Sequence, residues 1–173
     1  MKKLILLRHA KSSWADPCID DHDRSLNRRG KASAPVIARW LSVRRHLADR
    51  ILCSSAIRAR NTVERMRDAA PDLPRPEIKP ELYHASPDAM RACLARQPGS
   101  VEAVMIVGHQ PGMSALAQQL ASPETPPGFA RAFRHFPTAA AAVLEFGIED
   151  WGDIENHSGR FVDFATPREL QDR

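Results

Sequence analysis

At 173 residues the chain fits one ordinary domain with a real core. Its 43% hydrophobic and 27% charged residues are the proportions of a soluble globular protein, and no apolar run approaches a membrane span. The formal charge of +4 and pI near 9.3 point to an anionic substrate or partner. However, the arginines are scattered and no recognised module accompanies them, which speaks against sequence-specific nucleic-acid binding.

The chain opens on Met1-Lys2-Lys3-Leu4-Ile5-Leu6-Leu7, which briefly imitates a signal peptide. Arg8 and His9 interrupt it after four apolar residues, where a secretory core needs at least about seven. The run Lys3 to Leu7 therefore reads as a strand of a cytoplasmic protein. Val36, Ile37, Trp40, Leu41 and Leu47 then form a helical face, and Pro35 means that this helix begins near Ser33 or is kinked there. A second strand is expected at Arg50 to Cys53. The stripe Ala59, Val63, Met66, Ala70 marks a second helix, ended by Pro71.

Ser86 reads as an N-cap with Pro87 at the first helical position, leading into Met90 and Leu94. A third strand is expected at Val101 to Val107, and a fourth helix opening at Pro111 carries Leu116 and Leu120. Ser122 to Gly128 is loop-like in composition, and Ala139 to Phe146 and Gly159 to Phe164 read as later strands. Short apolar runs without polar alternation suit strands covered on both faces. Alternating with helices, they predict a single α/β domain over residues 1–173, three layers around a mostly parallel central sheet. Cys18, Cys53 and Cys93 are odd in number and widely spaced, so they are expected as free thiols.

In open α/β sheets, ligands bind outside the carboxyl ends of the strands. The first strand delivers Arg8-His9-Ala10, the second Ser54-Ser55 and then Arg58, and the third Gly108-His109-Gln110-Pro111-Gly112. Cationic and imidazole groups gathered at one edge would repel one another unless an anion sat among them. An arginine in the first turn of a helix is itself unfavourable by up to about 1 kcal/mol, a sign that a bound phosphate reverses.

Leu6-Leu7-Arg8-His9-Ala10, Arg58-Ala59-x-x-Thr62 and Gly108-His109 resemble the histidine phosphatase, or phosphoglycerate mutase-like, superfamily. Arg8 to Trp14, the segment Asp21-His22-Asp23-Arg24-x-Leu26-Asn27-x-Arg29-Gly30, and Gly108-His109-x-Pro111-Gly112 resemble its SixA branch of phosphohistidine phosphatases. The likeness runs from residue 4 to about residue 146 and implies a phosphoglycerate mutase-like fold. It also implies a metal-independent hydrolase without a cofactor, in which His9 attacks phosphorus and becomes phosphorylated. Arg8 and Arg58 would clamp the phosphoryl oxygens, and His109 would donate to them. Glu81, in Pro80-Glu81-Leu82-Tyr83-His84, matches the position of the superfamily's usual general acid.

Two departures stand out. Ala10 replaces the superfamily's usual glycine, and Ala15 stands where many relatives have asparagine. Ser12 could supply a hydroxyl in compensation, and Arg24 could reach in from the following loop. Asp16, Asp20, Asp21, Asp23 and His22 lack the pattern of a metal loop and read as solvated charges pairing with Arg24 and Arg28. His46, His84, His135 and His157 read as surface or structural residues, with His84 notable only as a neighbour of Glu81. Trp14 and Trp40 read as packing residues, and Phe133-Arg134-His135-Phe136 as either the rim of the site or a core-anchored loop.

The implied substrate is a phosphohistidine-bearing protein, such as a histidine-phosphotransfer domain, because so short a chain leaves little for a lid. A small phosphorylated metabolite and a non-catalytic phosphate-binding module are the alternatives. No nucleic-acid or membrane partner is expected.

Overall fold

A computed structural model describes residues 1–172. The elements in chain order are β1 (Lys2–Arg8), α1 (Arg28–Val43), β2 (Arg50–Ser54), α2 (Ile57–Ala69), β3 (Pro76–Lys79), α3 (Pro87–Ala95) and β4 (Ala103–Gly108). There follow α4 (Gly112–Leu120), α5 (Pro127–Ala130), β5 (Ala141–Phe146), β6 (Arg160–Ala165) and α6 (Pro167–Gln171). One six-stranded sheet runs in the order β3-β2-β4-β1-β5-β6. The pairs β1–β4, β2–β4 and β2–β3 are parallel, while β5 runs antiparallel to both β1 and β6.

Successive strand residues point to opposite faces, so the apolar runs supply two cores at once. Leu4, Leu6, Leu52, Val104 and Ile106 pack with Met90, Leu94, Leu116 and Leu120 of α3 and α4. Ile5, Leu7, Ile51, Met105 and Val107 pack on the other side with Ile37, Leu41, Val63 and Met66 of α1 and α2. Each fully buried Leu or Ile contributes about 1.5–3 kcal/mol, which locks the register of the central strands. The three-layer α/β architecture predicted from the sequence is the one observed. Among the described residues, no helix is long and apolar enough to cross a membrane.

Four local expectations are corrected. First, of the two readings of Pro35, the start near Ser33 is excluded: α1 begins at Arg28 and runs through Pro35. Its start is set by Asn27, whose Oδ1 accepts the Gly30 amide at 2.9 Å, while Leu47 lies beyond its end and is exposed. Second, β3 was not anticipated: Pro-Glu-Ile-Lys carries one apolar side chain and is held as an edge by backbone pairing to β2. Third, Val101 precedes β4, and its carbonyl accepts from Lys2 Nζ and Trp151 Nε1 instead of joining the ladder. Fourth, Ala139 stands outside β5 at φ 58°, its amide within 3.0 Å of the carbonyls of both Arg8 and His9. Cys18 is exposed, Cys53 and Cys93 are buried, and all three are free.

Candidate active site

The order β2-β4-β1 sets three carboxyl ends side by side, and the register pairs Arg8 with Gly108 and Cys53 with Val107. Hence Ser54, His109 and His9 emerge at one edge. The antiparallel β5 starts at the same edge, which brings the 136–140 segment against the end of β1. Arg8 Nη1 donates to the Phe136 carbonyl at 3.0 Å. Of the two readings of the Phe133–Phe136 loop, the core-anchored one holds: Phe136 is buried, and none of the four residues lines the pocket.

His9, Arg8, Ser12, Arg24, Arg58 and His109 all line one cavity of about 330 Å³. The imidazoles of His9 and His109 have centroids 5.0 Å apart. His9 Nδ1 lies 2.8 Å from the Ala10 carbonyl, an obligate acceptor, so Nδ1 carries the hydrogen. Nε2 is then a bare lone pair, and it accepts from Arg58 Nε at 3.3 Å. Burial pushes the His9 pKa down to about 3, with Arg58, Arg8 and Arg24 adding to the effect and the Ala10 carbonyl opposing it. The ring is thus neutral with its nucleophilic nitrogen turned towards the guanidinium.

The same logic assigns His109. Its Nδ1 accepts from Arg58 Nη2 at 3.3 Å, so its Nε2 carries the hydrogen and donates to Ser54 Oγ at 2.7 Å. Burial pushes its pKa down to about 2, helped by His9, Arg58 and His84. Behind the pocket, Thr62 Oγ1 accepts the Ala10 amide at 2.9 Å and donates to the Arg58 carbonyl at 2.7 Å. The residue four after Arg58 on α2 therefore ties that helix to the loop carrying His9. Ala10 is fully buried there.

Arg58 is buried with four of its donors committed: besides the two imidazoles, Nη1 reaches the Asp21 carbonyl at 2.6 Å and Nη2 reaches Asp21 Oδ2 at 3.0 Å. Arg24 joins the pocket, donating to Ser12 Oγ at 2.6 Å and forking onto Asp21 Oδ1 at 2.8 and 3.2 Å. Asp21 pairs with Arg24 as expected, but it also holds Arg58 and lines the pocket, which a solvated loop charge would not do. Its Oδ2 also accepts from Tyr83 Oη at 2.5 Å and lies 2.9 Å from His84 Nε2. Burial raises its pKa, but the bonds from Tyr83, Arg24, His84 and Arg58 outweigh that and hold the carboxyl well below its usual range.

Glu81 is a correction. Its Oε1 is 3.0 Å from Arg96 Nη2 on an exposed surface, and it is not among the residues lining the pocket. The short 3-10 helix Pro80–Leu82 turns it away and presents Tyr83 and His84 instead. His84, expected at the surface or in a structural role, adopts φ 49° and lines the pocket, 4.9 Å from the His109 ring. Trp14, expected to pack, is 71% exposed at the rim, with the Arg24 guanidinium carbon 3.5 Å from its ring centroid. His46 is buried against Asp163 at 3.2 Å, a structural role as expected. His22 bonds Ser55 Oγ at 2.9 Å. Among the described residues, no group of three or more His, Cys, Asp or Glu side chains is placed to hold a metal.

Similar proteins are consistent with this geometry. The sequence model of the histidine phosphatase superfamily (branch 1) matches residues 4–85. An uncharacterized protein of Mycobacterium tuberculosis, Rv1276c, is 37% identical over 94% of the chain and 100% of its own length. A candidate phosphohistidine phosphatase SixA from Agrobacterium tumefaciens is 33% identical, with a TM-score of 0.77 over 96% of this chain and 99% of that one. The protein histidine phosphatase SixA complexed with tungstate is 26% identical, with a TM-score of 0.78 over 97% and 99%. The chain belongs to the histidine phosphatase superfamily and is a phosphatase. Within the superfamily it is of the SixA type.

Proposed function

We propose that the protein removes phosphoryl groups from phosphohistidine on other proteins, through a phosphohistidine intermediate on His9. One observation carries the choice of substrate: Asp21 is the only carboxylate lining the pocket among the described residues, and four donors keep it ionised. An alkoxide leaving group needs a proton from an acid, and an ionised carboxylate has none to give. A phosphohistidine ring protonated on its other nitrogen departs as neutral imidazole, whose conjugate acid has a pKa of only about 6.5, so that reaction needs no acid from the protein.

In the first step the His9 Nε2 lone pair attacks phosphorus in line, and the bond from phosphorus to the substrate ring breaks with its electron pair left on that nitrogen; the ring, protonated on its other nitrogen, departs as neutral imidazole. In the second, water attacks phosphorus, the bond to His9 Nε2 breaks, and inorganic phosphate departs with one proton released. Arg8, Arg58, Arg24 and Ser12 surround the oxygens, and His109 turns donor by taking a proton on Nδ1. Arg58 exchanges its bond to His109 for one to the phosphoryl group. The positive lining suits an oxyanion, as tungstate is in the SixA relative. Little else is required of the protein, because phosphoryl transfer is dominated by positioning and charge.

The test compares a phosphorylated histidine-phosphotransfer domain with a panel of small phosphoesters, chelator present, for wild type and His9→Ala. Expected are a higher kcat/KM on the phosphohistidine protein and a loss of at least about a thousandfold in the variant. Better efficiency on any small ester would overturn the substrate, and unchanged activity in His9→Ala the mechanism. Labelled phosphate trapped on His9 after brief incubation separates catalysis from mere phosphate binding.

A further inference from the structure

Beside the phosphoryl pocket lies a second cavity of about 750 Å³, and Lys11 and Thr138 line both. The two cavities therefore adjoin across these residues, and the larger lies outside the reacting centre. Its walls come from the start of α1, the 135–138 segment, and α6 with the residue before it. Ala32, Pro137 and Pro167 give it apolar contact area.

The charges of this groove do not cancel. Arg131 forks onto Glu169, which also closes a capping box with Thr166, and Arg168 lies 3.9 Å from Asp172. Lys11 and Arg29 enter no ion pair among the described residues, and both side chains face water. Two uncommitted cations thus stand in a groove that leads to the phosphoryl site. The positive end of the sixteen-residue α1 adds to the same field. Lys11 stands between the two cavities and can serve the phosphate, but Arg29 lines only the outer one, and its charge is left for something else on the substrate.

We infer that this groove is the docking surface for an acidic polypeptide segment flanking the phosphohistidine. This rests on the protein-phosphohistidine reading above and specifies its partner. The groove has more than twice the volume of the phosphoryl pocket and mixes apolar wall with unpaired cations. That suits carboxylate side chains on a peptide backbone better than the remainder of a small ester.

The test uses two phosphohistidine peptides of equal length, one flanked by glutamates and one by alanines, with phosphoramidate as a third substrate reporting the phosphoryl pocket alone. Wild type is expected to favour the glutamate peptide roughly fivefold in kcat/KM, the difference residing in KM. Arg29→Glu is expected to reverse that preference, and added salt to erode it. Equal turnover of the peptides by wild type, or a preference that survives Arg29→Glu, overturns the groove. So does an Arg29→Glu loss on phosphoramidate as steep as that on the acidic peptide, since Arg29 would then act on the phosphoryl pocket. A carboxylate-bearing small phosphoester that depends on Arg29 as strongly as the acidic peptide overturns the polypeptide occupant. Turnover of phosphoramidate but of neither peptide overturns the protein-phosphohistidine reading itself.

Discussion

His9 and His109 both lie within hydrogen-bond reach of one guanidinium, Arg58, a grouping favourable only with the imidazoles neutral or an anion at hand. Asp21 is the anion of the pocket in the free protein, and it holds both Arg58 and Arg24, the guanidiniums proposed to receive the phosphoryl group. Asp21→Asn keeps the shape but removes the charge. It is expected to lower thermal stability and to tighten tungstate binding severalfold, about 1 kcal/mol after solvent screening of this half-exposed group. Calorimetry of unfolding and of tungstate binding checks both, and weaker binding would show that Asp21 serves chiefly to aim the arginines. The proton on His109 supplies a second prediction. Its Nδ1 lacks a hydrogen in the free protein and needs one to donate to an oxyanion, so binding raises its pKa from about 2. Binding then takes up protons, and tungstate affinity is expected to strengthen as pH falls from 8 to 6, read by titration in buffers of different ionisation heat.

At the scale of elements, the site depends on backbone contacts that a motif does not display. A Cβ on Gly30 would lie 2.1 Å from the Lys11 carbonyl, so α1 can start where it does only because residue 30 has no side chain. Gly112 is similar: its Cβ would lie 2.4 Å from the Ala85 carbonyl, just after His84. Gly30→Ala is expected to cost on the order of 2 kcal/mol in stability and to displace the loop that follows His9. Activity should fall about tenfold or more while the far face of the sheet keeps its amide-exchange protection, and unaltered kcat would refute that coupling. These glycines were visible in the sequence as members of motifs, but their reason was not. The approach of Lys11 to Gly30 spans two elements and has no local signature. Likewise, the start of α1 stays open in the sequence because its first turn, Arg28-Arg29-Gly30-Lys31, has no apolar stripe to mark it.

For the whole molecule, the buried imidazoles tie folding to pH. An unfolded chain holds His9 and His109 at their ordinary pKa of about 6.5, whereas the folded chain holds them at about 3 and 2. Between those limits the unfolded state binds more protons, so stability rises with pH through this window and is complete above about 6.5. Asp21, also held below its ordinary range, extends the loss further into acid. Denaturant midpoints measured from pH 4 to pH 8 are expected to climb and then level off. His9→Ala, which removes one of these groups, should flatten the climb; an unchanged slope would place the linkage elsewhere.

The α/β class, the two-sided core and the convergence of Arg8, His9, Arg58 and His109 were legible in the order of residues. Apolar strand runs and residues at strand ends are local patterns, and the parallel topology leaves such ends one place to meet. Long-range packing, with no local signature, brings Asp21 and His84 to the pocket and turns Glu81 away to Arg96. A loop carboxylate and one on a surface helix look alike until packing decides which of them faces the arginines.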